Sequence, residues 1–187
     1  ADNTAEIIEQ VAPRKSGRRI MPWAAVLVLG AVVGLGYWMG KGSVDETKAD
    51  ALIQEAKGLS QTKEWDKALA KLQEAQDFAG QSQMPQILEK MGDVHSSKGE
   101  YEEAVDLYRK AVEQDYAPAQ YKLGFAYDLG LGVAKDDVEA LKWYRKAADQ
   151  DNALAQYNLG FAYDLGLGVA KDDVEAVKWY RKAADQD

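Results

Sequence analysis

Apolar residues follow two different patterns along the chain. Between Ile20 and Gly40 they form one run of 21 residues, IMPWAAVLVLGAVVGLGYWMG, without a charged side chain. From residue 49 onwards they recur at helical spacing within charged, alanine-rich segments. At about 1.5 Å per residue the first run would span roughly 30 Å, the thickness of the hydrocarbon core of a bilayer. The two patterns predict a single transmembrane helix at 20–40, followed by an all-α soluble part.

The residues that flank the apolar run predict its orientation. Basic and aromatic side chains suited to the two membrane interfaces are Arg18, Arg19, Trp23, Tyr37 and Trp38. The basic residues precede the run, whereas the residues after it carry both signs of charge. The positive-inside rule then places the tail 1–19 in the cytoplasm and the rest of the chain across the membrane, which in a bacterium is the periplasm. A cleaved signal peptide is the alternative, although the run is long for one and lacks a good cleavage site.

Within the apolar run, Gly30 and Gly34 form a G-x-x-x-G pair. This spacing places both glycines on one helix face, where a second membrane helix can approach closely. The alternative is that glycine is simply common in membrane helices. The pair therefore predicts a contact face, with that alternative open.

The soluble part is repetitive. Residues 117–151 return 36 residues later as 153–187, and only three of the 35 aligned positions differ: Pro118/Leu154, Lys122/Asn158 and Leu141/Val177. The same period extends further back through three series of residues that would lie on the second helix of each unit: Ala68, Ala104, Ala140 and Ala176; Leu72, Tyr108, Tyr144 and Tyr180; Ala75, Ala111, Ala147 and Ala183. A fixed period of this length is typical of a solenoid. The chain is predicted to contain a tail (1–19), a membrane helix (20–40), a linker (41–48) and four helix-turn-helix units, two in 49–116 and two in 117–187.

These residues resemble two related repeat families. The second unit resembles the tetratricopeptide (TPR) pattern through Leu88, Met91, Gly92, His95, Ala104, Tyr108 and Ala111. The last two units are similar to Sel-one-like repeats, and in the third unit the matching residues are Ala119, Leu123, Gly124, Tyr127, Gly130, Gly132, Val133, Ala140, Trp143, Tyr144, Ala147 and Ala148. The resemblance implies an α-solenoid whose first helices line a groove for partner segments.

Six residues are candidates for that groove because they share one face of the first helices in the last two units. They are Tyr121, Phe125, Asp128, Tyr157, Phe161 and Asp164. An aromatic pair beside a carboxylate would suit a partner segment with apolar and basic groups. The alternative is that these aromatic side chains pack against the adjacent unit.

Composition argues against catalysis and against nucleic-acid binding. There are no cysteines and one histidine, His95, which the sequence places between paired helices. The net charge is −8, of which residues 1–41 contribute +5 − 3 = +2 and the remainder −10, so the soluble part lacks a basic footprint. The GLGLG segment lacks the strand that a phosphate-binding turn needs, and helix capping explains the aspartate pairs near Asp136 and Asp172. We expect no enzyme activity, no cofactor and no metal site.

The sequence therefore predicts a non-catalytic, single-pass protein of the bacterial inner membrane. Its periplasmic repeats would act as an interaction scaffold or assembly factor for membrane or periplasmic proteins, with the lipid bilayer contacted through 20–40. One alternative is an accessory subunit of a larger membrane complex, respiratory or secretory, docked mainly through its membrane helix. A rival from another class is an anchored glycan-processing hydrolase.

Overall fold

A computed structural model describes residues 44–186, which fold into eight α-helices. Consecutive helices pair antiparallel, so that they form four units of two helices each, as predicted. Their bounds are α1 Glu46–Gln61, α2 Trp65–Phe78, α3 Met84–Lys98, α4 Tyr101–Val112, α5 Ala117–Leu129, α6 Asp137–Ala148, α7 Ala153–Leu165 and α8 Asp173–Ala184.

The predicted membrane helix at 20–40, with its glycine pair and interface anchors, lies outside the described residues. Between residues 44 and 186, none of the helices is long and apolar enough to cross a bilayer. α1 begins at Glu46, within the segment expected to be a linker, because the Asp45 side chain accepts a hydrogen bond from the Lys48 backbone N–H at 3.0 Å. An aspartate in this position satisfies one of the free N–H groups of the first turn.

The residues that recur every 36 positions lie where the two helices of a unit pack together. Ala68, Ala104, Ala140 and Ala176 are all buried. Tyr108 and Tyr144 fill the space beside the glycine of the facing helix, so closely that a Cβ on Gly92 or Gly124 would overlap the tyrosine ring. In the first unit the larger Ala56 replaces the glycine and the smaller Leu72 replaces the tyrosine. Both residues are buried, so the two size changes compensate each other.

The long loops of the last two units join each unit to the one before it. Gly132 has a φ of +69° and lies directly on the backbone of Tyr101, at the start of α4. Gly168 has a φ of +66° and lies in the same way on the backbone of Asp137, at the start of α6. Glycine is required at both positions because any side chain would collide with that backbone and because positive φ disfavours other residues.

The predicted capping role of Asp136, at the start of α6, is confirmed. The Asp136 carboxylate accepts hydrogen bonds from the backbone N–H groups of Val138 and Glu139, both at 3.0 Å. Glu139 does not return the bond as in a full capping box. Its side chain instead accepts from the indole N–H of Trp143 at 2.9 Å, while the Asp136 N–H donates to the carbonyl of Tyr127.

Candidate partner-binding groove

The aromatic side chains predicted to line a groove differ in how far they reach the surface. Phe125 on α5 is 38% exposed, and Tyr157 and Phe161 on α7 are 55% and 43% exposed. On the opposite side of the same helices, Leu123 and Leu159 are fully buried. α5 and α7 therefore hold large apolar groups at the surface although each already supplies a buried face to the core.

Tyr121 has a packing role as well. Its ring centroid lies 6.0 Å from that of Tyr144 and 6.3 Å from that of Phe125. Tyr157 makes the equivalent contact with Tyr180 at 5.4 Å. The packing alternative thus describes Tyr121, which is half-buried, whereas Tyr157 remains 55% exposed despite its contact with Tyr180.

A cavity of about 290 Å³ opens between the third and fourth units. It brings together four of the six predicted residues, namely Phe125, Asp128, Tyr157 and Phe161. Tyr121 and Asp164 do not line it, and the Asp164 carboxylate lies 3.7 Å from the Lys171 ammonium instead. The remaining lining residues are Asp137, Ala140, Leu141, Tyr144, Asn158, Ala162 and Leu167. We refer to this cavity as the 3/4 pocket.

Two carboxylates give the 3/4 pocket its charge. Asp128 Oδ2 accepts a hydrogen bond from the Tyr144 hydroxyl at 3.1 Å. Asp137 Oδ1 is buried and lies 3.2 Å from the ammonium of Lys135, whose side chain is largely exposed. Burial, reinforced by the charge of Asp128, raises the pKa of Tyr144, so this phenol stays a hydrogen-bond donor. The pocket therefore combines aromatic walls with two negative groups.

Sequence reasoning missed Asp137, Tyr144 and Asn158 as pocket residues. From the sequence, helix capping explains the aspartate pair that contains Asp137, and Tyr144 shows only the 36-residue period. The sequence offered one signal for the pocket at position 158. Asn158 replaces Lys122 there, which is one of only three differences between the two units and so marks a place where they are not equivalent.

His95 is half-buried, as the sequence predicted, and its Nδ1 lies 2.7 Å from Glu100 Oε2. It lies in the second unit and does not line the 3/4 pocket. Among residues 44–186, no three acidic or histidine side chains come together as a metal site would require.

A second charged cluster lies in the second unit. In the register that aligns Gly92 with Gly124, Glu89 takes the place of Tyr121. Glu89 is only 2% exposed, and its Oε2 lies 3.0 Å from the Lys90 ammonium. Burial, and after it the charge of Asp93, raises the pKa of Glu89 although Lys90 opposes the shift.

This shift predicts a pH-dependent contribution to stability. A carboxyl whose pKa is raised by folding binds its proton more tightly in the folded state, so its contribution to stability falls as the pH rises from 4.5 through the folded pKa. Glu89→Gln should remove that fall. Urea unfolding at intervals from pH 4.5 to about 7 measures it, and a difference from wild type that stays constant with pH would contradict the assignment.

The sequence model of the Sel1 repeat matches residues 117–152 and again 153–187. Residues 117–187 thus match two consecutive Sel1 repeats. A TPR repeat model matches residues 92–129, so it includes most of the second unit and overlaps the first Sel1 repeat. A search of curated protein sequences finds no match.

Solved structures share this fold. A Sel1 repeat protein from Oxalobacter formigenes is 35% identical over 72% of this chain, with a TM-score of 0.61. A protective antigen present in uropathogenic Escherichia coli strains, which displays an SLR fold, is 32% identical over 74% of the chain, also with a TM-score of 0.61. MamA matches 76% of the chain at 24% identity and a TM-score of 0.51, and 80% of its own length is covered.

The match spans 56% of the Oxalobacter protein and 30% of the antigen. Both structures therefore extend beyond the part they share with this chain.

Proposed function

We propose that this protein is a non-catalytic, membrane-anchored scaffold whose Sel1 and TPR repeats bind segments of other proteins on the periplasmic side of a bacterial inner membrane. One observation carries the proposal. The groups that line the 3/4 pocket include Phe125, Tyr157 and Phe161, which α5 and α7 hold at the surface. Aromatic side chains at the rim of a pocket are typical anchors of protein interfaces.

The anchor and its orientation rest on the sequence. The apolar run at 20–40 has the length of a membrane span, and the basic residues Arg18 and Arg19 precede it. A repeat array joined to such a span would be held near one membrane surface, so its partners would be membrane proteins or proteins of the same compartment.

A second candidate is an accessory subunit of a membrane complex that docks through the span itself. The Gly30 and Gly34 pair favours it, because small residues at this spacing allow membrane helices to pack closely. In that case the repeats would be secondary to the helix contact.

Cross-linking mass spectrometry in native membranes separates the two candidates. The wild-type chain is compared with Gly30→Leu/Gly34→Leu and with a chain that starts at Ser43. If the repeats bind the partners, the glycine variant keeps the cross-links, and they map to α5 and α7. Loss of the partners in the glycine variant would favour the accessory subunit, and the absence of any cross-linked protein would contradict both candidates.

A matched pair of surface variants tests the groove. Phe125→Ser/Phe161→Ser should reduce partner capture at least about tenfold, as expected for interface anchors. Because more than half of each phenylalanine is buried, the variant should also lose some stability, so circular dichroism must show that it is folded under the conditions of capture.

The control is Val138→Ser/Val174→Ser, which also removes two exposed apolar groups but lies at the starts of α6 and α8, outside the 3/4 pocket. Capture should be retained in this variant. Equal losses in the two double variants would show that the pocket has no special role.

A further inference from the structure

The junction between the second and third units contains a cation supplied by the chain itself. The Lys122 ammonium lies 2.9 Å from Asp93 Oδ1. The same oxygen accepts a hydrogen bond from the Tyr108 hydroxyl at 3.0 Å. A tyrosine of the second helix thus holds a carboxylate of the first helix, and a lysine from the next unit pairs with it more closely than Lys90 of the same helix, whose ammonium lies 3.6 Å from Asp93 Oδ2.

The junction between the third and fourth units repeats this arrangement without the lysine. Tyr144, 36 residues after Tyr108, donates in the same way to Asp128. The carboxylate comes from the next turn of the first helix, because Phe125 stands at the position of Asp93. The position of Lys122 is taken by Asn158, which lines the pocket with a short, neutral side chain.

We propose that the 3/4 pocket binds a cationic side chain, a lysine or arginine, presented by a partner segment. This inference rests on the proposed function and specifies the chemistry of its partner. The incoming cation would take the part that Lys122 has at the preceding junction, and its carbon stem would lie against Phe125, Tyr157 and Phe161.

The chemistry of the pocket fits such an occupant. The carboxylates of Asp128 and Asp137 can form charge-assisted hydrogen bonds with an ammonium or guanidinium group, and aromatic faces attract the same cations. Asp128 takes part in no ion pair within the part of the chain that the structure describes. Lys135 lies beside Asp137 but is mostly exposed, so it can move towards solvent when another cation enters.

The chain contains only three phenylalanines, which makes ¹⁹F NMR of 4-fluorophenylalanine a direct test. Phe125 and Phe161 line the pocket, and Phe78, on α2 in the first unit, is an internal control. The labelled full chain, in detergent micelles, is titrated with the tripeptide acetyl-Leu-Lys-Leu-amide. The same tripeptide with arginine tests the second cation, and norleucine, a lysine side chain without its amine, is the neutral control.

The two pocket signals should shift saturably with the lysine or arginine peptide while the Phe78 signal stays in place. The norleucine peptide should bind at least about tenfold more weakly, since it cannot pair with the carboxylates. The proposal is overturned if neither cationic peptide shifts the pocket signals, or if norleucine binds equally well.

Asn158→Lys provides a matched variant, because the third unit already folds with a lysine, Lys122, at the equivalent position. Its ammonium should occupy the pocket and abolish the response to the cationic peptides. Asp128→Asn, which can still accept from Tyr144, should weaken the same response. An unchanged response in both variants would also overturn the proposal.

Failure here can be told apart from failure of the proposed function. The titration needs no natural partner, whereas the cross-linking experiment needs no cationic peptide. If partners cross-link to α5 and α7 equally in wild type and in Asn158→Lys, the proposed scaffold function stands and only the proposed cation site is overturned.

Discussion

Gly132→Ala is expected to lower the free energy of unfolding by about 3 kcal/mol. The positive φ of this residue costs about 1–2 kcal/mol for any residue with a Cβ. The added carbon would also fall on the carbonyl of Tyr101, which is backbone and cannot rotate away, and overpacking adds about 1–3 kcal/mol. Urea unfolding followed by far-UV circular dichroism measures the loss.

Gly99 is the matched control. It also has a left-handed backbone, with a φ of +85°, but nothing lies within 4 Å of the position that a Cβ would take. Gly99→Ala should therefore cost only the conformational part, about 1–2 kcal/mol. Equal losses at the two glycines would mean that the loop does not rest tightly on the preceding unit.

Gly124→Ala is expected to destabilise the array by about 2 kcal/mol, although alanine is normally the better helix former. The reason is the ring of Tyr144, whose Cδ1 would lie 2.8 Å from the new carbon. Gly58, on α1, is the control. Nothing lies within 4 Å of its Cβ position, so Gly58→Ala should raise the free energy of unfolding by about 1 kcal/mol.

A double-mutant cycle identifies the cause. In a Tyr144→Leu background, Gly124→Ala should destabilise much less, because the first unit already combines Ala56 with Leu72 in a buried pair, and the Ala140 carbonyl oxygen at 3.2 Å is then the one close contact left among the three nearest atoms. The interaction energy between the two substitutions should then be about 2 kcal/mol. Additive effects of the two substitutions would show that the tyrosine ring is not the obstacle.

The helix pairs and their register could be predicted from the sequence because they depend on spacing alone. Ala104 and Ala140 recur at a fixed interval wherever two helices must approach closely, and Asp136 marks the first turn of α6. A helix cap is local and the alanine series repeats at one period, so both can be recognised without knowing how the units stack.

The 3/4 pocket could be predicted only in part. Phe125 and Phe161 follow from helical periodicity, but Asp137 belongs to another helix and reaches the pocket only when α6 and α7 are stacked. The burial of Glu89 could not be predicted either, because its position on α3 looks like that of a surface residue until α4 and α5 enclose it. Contacts between units, rather than within one helix, decide these positions.

The contacts of Gly132 and Gly168 have a consequence for how such proteins grow. The three atoms nearest to the Cβ position of each glycine are main-chain atoms of the preceding unit. Tyr101 and Glu102 supply them at Gly132, and Asp137 and Val138 supply them at Gly168, so the side chains differ while the backbone contact is the same. The docking surface is therefore independent of the side chains at that position. A unit copied by gene duplication would meet the same backbone at its new neighbour, so this contact favours an array that lengthens by whole units.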